Sequence, residues 1–265
     1  MSDVVRVEIS DRVATVSLNR PDKLNAVSPE VFAGLHAAGR RVAEDDGVRA
    51  VLIRGEGRAF CSGLDLSSLQ AFGEGRVPSG DGERAVDVNA AQAGFAIWQQ
   101  MSKPVVAAVH GYALGAGLQL ALAADVRIAA EDAVMSVFEI TYGLVPDLGG
   151  TQLLPVITGP ARAKELIWTA RRFTAEEAER WGIVNRVVAL GALEEEARAL
   201  ALDLASRPPL PIAFTKELVR KAGRVSLEEG MRAEIEAQMR CLASNDMREA
   251  VAAAFEKRAG NYTGS

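Results

Sequence analysis

A chain of 265 residues, 49% hydrophobic and 5% aromatic, has enough apolar material to bury a sizeable core. Its net charge of -5 argues against a nucleic-acid protein, whose electrostatic footprint is basic. Two cysteines (Cys61, Cys241) and two histidines (His36, His110) offer neither a disulfide framework nor metal-ligand spacing.

The N-terminus opens as a hairpin. Val5, Val7 and Ile9 alternate with polar neighbours, Ser10-Asp11-Arg12 turns the chain, and Val13–Leu18 returns. Asn19-Arg20-Pro21-Asp22 breaks this pattern. Ser28 then caps a helix with Pro29 at its first position, and Val31, Leu35 and Val42 form its buried stripe. Ala50–Ile53 is a short apolar strand, followed by a glycine-flanked loop to Leu66. The stretch Phe72–Glu83 is rich in Gly, Pro and Ser and reads as a mobile loop.

A helix over Ala85–Met101 leads into Val105–Val109, a continuous apolar run that suits a strand buried on both faces. A helix over Leu114–Ala124 and strands over Val126–Ala129 and Val134–Val137 complete an α/β alternation. After Leu148 the pattern becomes wholly helical, with capping boxes at Thr174/Glu177 and Ser226/Glu229. No apolar run approaches the ~20 residues of a bilayer span, and Met1-Ser2-Asp3-Val4 does not open a signal peptide. A cytoplasmic protein with no nucleic-acid or membrane partner is expected.

Two turns attract chemical interest. Gly115-Ala116-Gly117 opens a helix directly after a buried strand, so N–H groups without intrahelical acceptors meet a backbone that a substrate can approach. A tight packing turn would look the same. The spacing of Gly111, Gly115 and Gly117 fits neither a dinucleotide fingerprint nor a P-loop. The second turn, Ala59–Leu66, contains Cys61 and Ser62, but no histidine stands nearby in sequence to activate either, and a small buried thiol is the expectation for Cys61.

Four motifs occur in order: Asn19-Arg20-Pro21 with Asn25-Ala26; Phe60-Cys61-Ser62-Gly63-Leu64-Asp65-Leu66; Lys103–Gly117, with His110-Gly111-Tyr112-Ala113-Leu114-Gly115-Ala116-Gly117 at its end; and Gly143-Leu144-Val145-Pro146-Asp147-Leu148-Gly149-Gly150-Thr151. Over almost the whole chain they resemble the crotonase superfamily, the enoyl-CoA hydratase/isomerase enzymes. The resemblance implies an α/β fold, with a spiral of β-β-α units over 1–190 carrying a CoA-thioester site. A helical region over 191–265 would build homotrimers, often paired into homohexamers. It implies an acyl-CoA substrate, with coenzyme A as part of that substrate and no separate cofactor or metal. The thioester oxygen would sit on the backbone N–H groups of Leu64 and Ala116. The resemblance places Lys23, Leu24, Ala26, Ser62, Gly63, Asp65, Leu66 and Lys257 along coenzyme A.

Three side chains bear on the reaction. Gln119 lies one helical turn beyond Ala116, where the hydratases resemble one another in carrying a glutamate, and a glutamine cannot accept and return a proton. Glu139, in the apolar run Val137-Phe138-Glu139-Ile140, should have its pKa raised by desolvation, unless it is a strand-end carboxylate facing solvent. Asp147 resembles an isomerase aspartate, and it is equally placed to cap the helix that follows. The expected catalytic set is Glu139, Asp147 and Gln119, and the expected reaction is double-bond isomerisation of an enoyl- or dienoyl-CoA. The alternatives are hydration of a 2-enoyl-CoA, hydrolysis of the thioester, and non-catalytic acyl-CoA binding.

Overall fold

In the computed structural model, residues 4–65, 67–68, 70 and 90–265 are described. The expected Phe72–Glu83 loop, the first residues of the Ala85–Met101 helix, and Leu66 lie outside the described residues.

The hairpin forms as expected. Strands β1 (Val5–Ser10) and β2 (Val13–Leu18) pair antiparallel, and the register closes at Ser10 opposite Val13. The two residues between them, Asp11 (φ 53) and Arg12 (φ 65), are both left-handed, the geometry whose twist matches the strands it joins. Helix α1 (Pro29–Glu44) buries Val31, Leu35, Ala38 and Val42. Ser28 stands at its N-cap position, yet its hydroxyl donates to Glu30 Oε2 at 2.6 Å and caps no N–H, a correction to the expected cap.

Strands β3 (Ala50–Gly55), β4 (Val105–Val109), β6 (Val126–Ala130) and β9 (Arg186–Val188) run parallel beside β2. Among the described residues this sheet has the order β1-β2-β3-β4-β6-β9. The apolar run of β4 follows from its position. Val105, Ala107 and Val109 join a core with α1 and α2 (Ala90–Gln100), while Val106 and Ala108 meet Leu193, Ala197 and Ala201 of α7 (Leu193–Ala205). The buried core therefore continues past residue 190, through Ala205.

A second sheet, β5-β7-β8, lies beyond it: β5 (Tyr112–Leu114), β7 (Val134–Ser136) and β8 (Phe173–Thr174). Leu114 belongs to β5 rather than to the expected helix. Gly115, at φ 50 and ψ -118, breaks the chain there, and α3 starts at Ala116 and runs to Ala123. A 3-10 helix (Glu139–Tyr142) follows β7, then α4 (Gly150–Thr158), α5 (Pro160–Thr169) and α6 (Ala175–Arg180). The wholly helical stretch expected after Leu148 is interrupted by β8 and β9, which at two and three residues are too short to show a period.

Both expected capping boxes are formed. The chain closes with α8 (Pro209–Lys221), α9 (Leu227–Leu242) and α10 (Asn245–Glu256). No helix among the described residues is long and apolar enough to cross a membrane.

Candidate active site

Two backbone turns meet at the edge where the sheets adjoin. The Cys61 N–H donates to Tyr112 O (2.8 Å) and the Leu114 N–H to Cys61 O (3.0 Å), so the loop after β3 is stitched onto β5. Gly117 permits this closeness: a Cβ there would stand 2.2 Å from the Cys61 carbonyl oxygen. Buried Asn25 supports the first turn from behind, donating from Nδ2 to the carbonyls of Ala59 (2.7 Å) and Glu56 (2.9 Å).

The turns bound a cavity of about 410 Å³. One wall is Asp22, Lys23, Leu24, Ala26, Ser62, Gly63, Leu64 and Asp65; the other is Leu114, Gly115, Ala116, Phe138, Glu139, Tyr142 and Leu144. Leu64 and Ala116 both line this cavity, and the N–H of neither has an acceptor among the described residues. For Ala116 the cause is plain: it is the first residue of α3, where an N–H has no intrahelical partner.

Glu139 opens the 3-10 helix and is 7% exposed. Burial pushes its carboxyl above the ordinary range and the charge of Asp147 adds to the rise, while the backbone N–H of Glu139, the Gln119 amide and the Phe138 N–H pull the other way. Glu139 Oε1 accepts from Gln119 Nε2 at 2.6 Å, whereas the buried Oε2 has no hydrogen-bond partner among the described residues. The reading of Glu139 as a strand-end carboxylate facing solvent is thereby set aside.

Gln119 is buried behind the cavity rather than on it. Its Oε1 accepts from the N–H groups of Leu148 and Gly150, both at 2.9 Å. This arrangement also removes the helix-cap reading of Asp147. The N-cap position of α4 is Gly149, with no side-chain cap, and the N–H groups around it go to Gln119. Asp147 is exposed, and its carboxylate makes no hydrogen bond among the described residues. It sits beside the cavity wall rather than in it.

The residues expected along coenzyme A divide. Lys23, Leu24, Ala26, Ser62, Gly63 and Asp65 converge on one wall. The Asp65 carboxylate is engaged by Ser67 and by Arg20 (2.8 Å), which hold it below its usual pKa, so it braces the loop. Lys257 is exposed, takes a left-handed backbone at the end of α10, and does not line the cavity. Cys61 is fully buried with its thiol pushed up to about 12, as befits a small apolar filler. His110 shares a 3.0 Å hydrogen bond with Gly57 O.

Phe138, Tyr142 and Leu144 were not singled out by sequence. The signal was present: residues three apart eclipse on a 3-10 helix, so Tyr142 shares a face with Glu139. Phe138 and Tyr142 pack edge-on, with ring centroids 5.8 Å apart.

Two unpartnered N–H groups beside a buried carboxyl with one free oxygen can stabilise a developing oxyanion and move a proton. Comparison with known proteins agrees with that class of chemistry. The model of the enoyl-CoA hydratase/isomerase family matches residues 8–265. The peroxisomal Delta(3,5)-Delta(2,4)-dienoyl-CoA isomerase of Arabidopsis thaliana is 33% identical over 262 residues, covering 97% of this chain and 94% of that one. The carnitinyl-CoA dehydratase of Proteus mirabilis strain HI4320 is 37% identical over 272 residues, covering both chains fully. The crystal structure of an enoyl-CoA hydratase from Bacillus anthracis superposes with a TM-score of 0.89 at 34% identity, covering 99% of this chain and 100% of that one. The chain belongs to the enoyl-CoA hydratase/isomerase family and has the crotonase fold, with a helical C-terminal region.

Proposed function

We propose that this enzyme shifts a double bond in an enoyl- or dienoyl-CoA by proton transfer, with the thioester oxygen held on the N–H groups of Leu64 and Ala116. Coenzyme A would lie along the wall from Lys23 to Asp65. A base takes a proton from the carbon next to the thioester, negative charge collects on the carbonyl oxygen, and a proton returns further along the chain. One proton leaves and one arrives, so the product is an isomer. Glu139 is the base, and Asp147 returns the proton at the far carbon.

The observation that carries this reading is the commitment of Gln119. Both lone pairs of its Oε1 are taken by Leu148 and Gly150, and its NH₂ is turned to Glu139. Nothing on Gln119 is left to accept a water's hydrogen, so Glu139 is the one buried proton carrier here, where the hydratases this chain resembles carry a second glutamate. The 33% identity to a dienoyl-CoA isomerase adds support. An assembly of three copies, or of two such trimers, belongs to the same proposal. Its support is the row Leu227, Met231, Ile235, Met239 and Leu242, an exposed apolar stripe along α9.

The test is incubation with 3-enoyl-, 3,5-dienoyl- and 2-enoyl-CoA panels in heavy water, read by mass. Isomers carrying exchanged deuterium are expected. A gain of one water would identify a hydratase, release of free coenzyme A a hydrolase, and binding without turnover a non-catalytic subunit.

A further inference from the structure

The amide of Gln119 can be oriented in only one way. Its Oε1 stands 2.9 Å from the N–H groups of both Leu148 and Gly150, two buried donors that require an acceptor. The NH₂ therefore faces the other way, 2.6 Å from Glu139 Oε1. A donor is accepted better by a carbonyl oxygen than by a hydroxyl oxygen, so the Gln119 NH₂ favours Oε1 as the carbonyl oxygen of the protonated carboxyl. Whenever Glu139 is protonated, the proton belongs on Oε2, the oxygen without a partner among the described residues.

We infer that Gln119 is a positioning residue that reserves Glu139 Oε2 as the oxygen exchanging protons with the substrate and ties it to the turn carrying the second carboxylate. Asp147 immediately precedes Leu148, so the hydrogen bonds that orient Gln119 also locate that turn. One buried amide thus holds both the Glu139 carboxyl and the turn that carries Asp147. The inference rests on Glu139 being the proton carrier of the proposed reaction.

Three variants separate this role from simple packing. Gln119→Met fills the space without the amide. Gln119→Glu keeps an oxygen for the two N–H groups but sets a second carboxyl against Oε1. Gly150→Ala leaves position 119 chemically intact and pushes it, since a Cβ there would stand 2.9 Å from Gln119 Oε1. The charged groups near Glu139 remain in all three: Asp147 on the adjoining turn, and Asp22, Lys23 and Asp65 on the opposite wall. On α5, which packs against the 3-10 helix, Arg162 lies over Trp181, Glu165 pairs with Arg171, and Lys164 is exposed. Any change in the Glu139 titration then reports on position 119.

The experiment follows the Glu139 carboxyl by carbon-13 NMR in the free protein, with the signal assigned through Glu139→Gln. Turnover against pH is measured on whichever substrate the heavy-water screen identifies. With Gln119→Met the titration should move up and kcat should fall about 10-fold with KM within about twofold, the pattern of a misplaced proton carrier. With Gln119→Glu the pair should titrate in two coupled steps. Gly150→Ala should give a smaller shift in the same direction as Gln119→Met. A folded Gln119→Met protein with unchanged titration and unchanged kcat would overturn the inference. If that variant does not fold, a single unperturbed Glu139 step in Gln119→Glu and in Gly150→Ala does the same. The NMR arm needs no substrate, so failure of the isomerase proposal registers separately, in the heavy-water screen.

Discussion

At the scale of single residues, Glu139 is held against its own chemistry. A carboxyl raised by burial binds its proton more tightly when folded than when unfolded, so folding stability falls as pH rises from the ordinary carboxylate range through the raised folded value. Glu139→Gln cannot ionise and escapes that loss. The variant should be more stable than wild type near neutral pH, with the gap closing as the pH falls into the ordinary carboxylate range, read by thermal unfolding across that range. The same substitution should lower turnover at least ~100-fold, and near-wild-type rates would remove Glu139 from the mechanism. Gly117 offers the opposite case, a position with no functional atom. A Cβ there meets the Cys61 carbonyl oxygen at 2.2 Å, so Gly117→Ala should cost about 3 kcal/mol or more in denaturant unfolding and should lose activity with it. Sequence shows that a carboxylate in an apolar run is unusual. It cannot show that Gln119, twenty residues away, turns its amide to that carboxylate.

At the scale of elements, the 3-10 helix Glu139–Tyr142 and the turn leading to α4 do most to define the site. α4 begins without a side-chain cap of its own; a glutamine from α3 serves its first N–H, that of Gly150, and the N–H of Leu148 just before it. Asp147 is therefore not the cap of this helix. Asp147→Asn should leave the melting temperature within about a degree, while isomerisation of the preferred substrate drops at least ~10-fold. Parallel loss of stability and rate would return Asp147 to a structural role. Long elements were legible in the sequence: the α1 stripe, the doubly buried β4 and both capping boxes stand where periodicity and cap chemistry put them. Short ones were not. β5, β8 and β9 have three, two and three residues, and their strand character comes from partners distant in sequence, such as Ile128 opposite Arg186. Ser28 fails as a cap for a local reason, since Glu30 two residues on captures its hydroxyl.

At the scale of the whole molecule, α9 turns Leu227 (81% exposed), Ile235 (64%) and Met239 (60%) outward on one stripe. Ile235→Asp combined with Met239→Asp should leave the chain folded but reduce its sedimenting mass toward that of one copy at micromolar concentration. An unchanged mass would place the assembly surface elsewhere. Lys216, with its ammonium on Asp125 (2.8 Å) and on the carbonyls of Trp98 and Lys103 (both 2.9 Å), pins α8 to the core, so such a change at α9 should leave the cavity intact. The stitching of Cys61 to β5 has a further consequence. In the proposed reaction the two jaws that would hold the thioester carbonyl are main chain, and their spacing rests on the ladder hydrogen bonds between Cys61, Tyr112 and Leu114. Side-chain drift at Leu64 or Ala116 cannot widen it. On the proposed reading, variation that alters which acyl chain is accepted would fall on side chains that line the cavity, such as Phe138, Tyr142 and Leu144, and would leave the main-chain hold on the thioester the same from one substrate to the next.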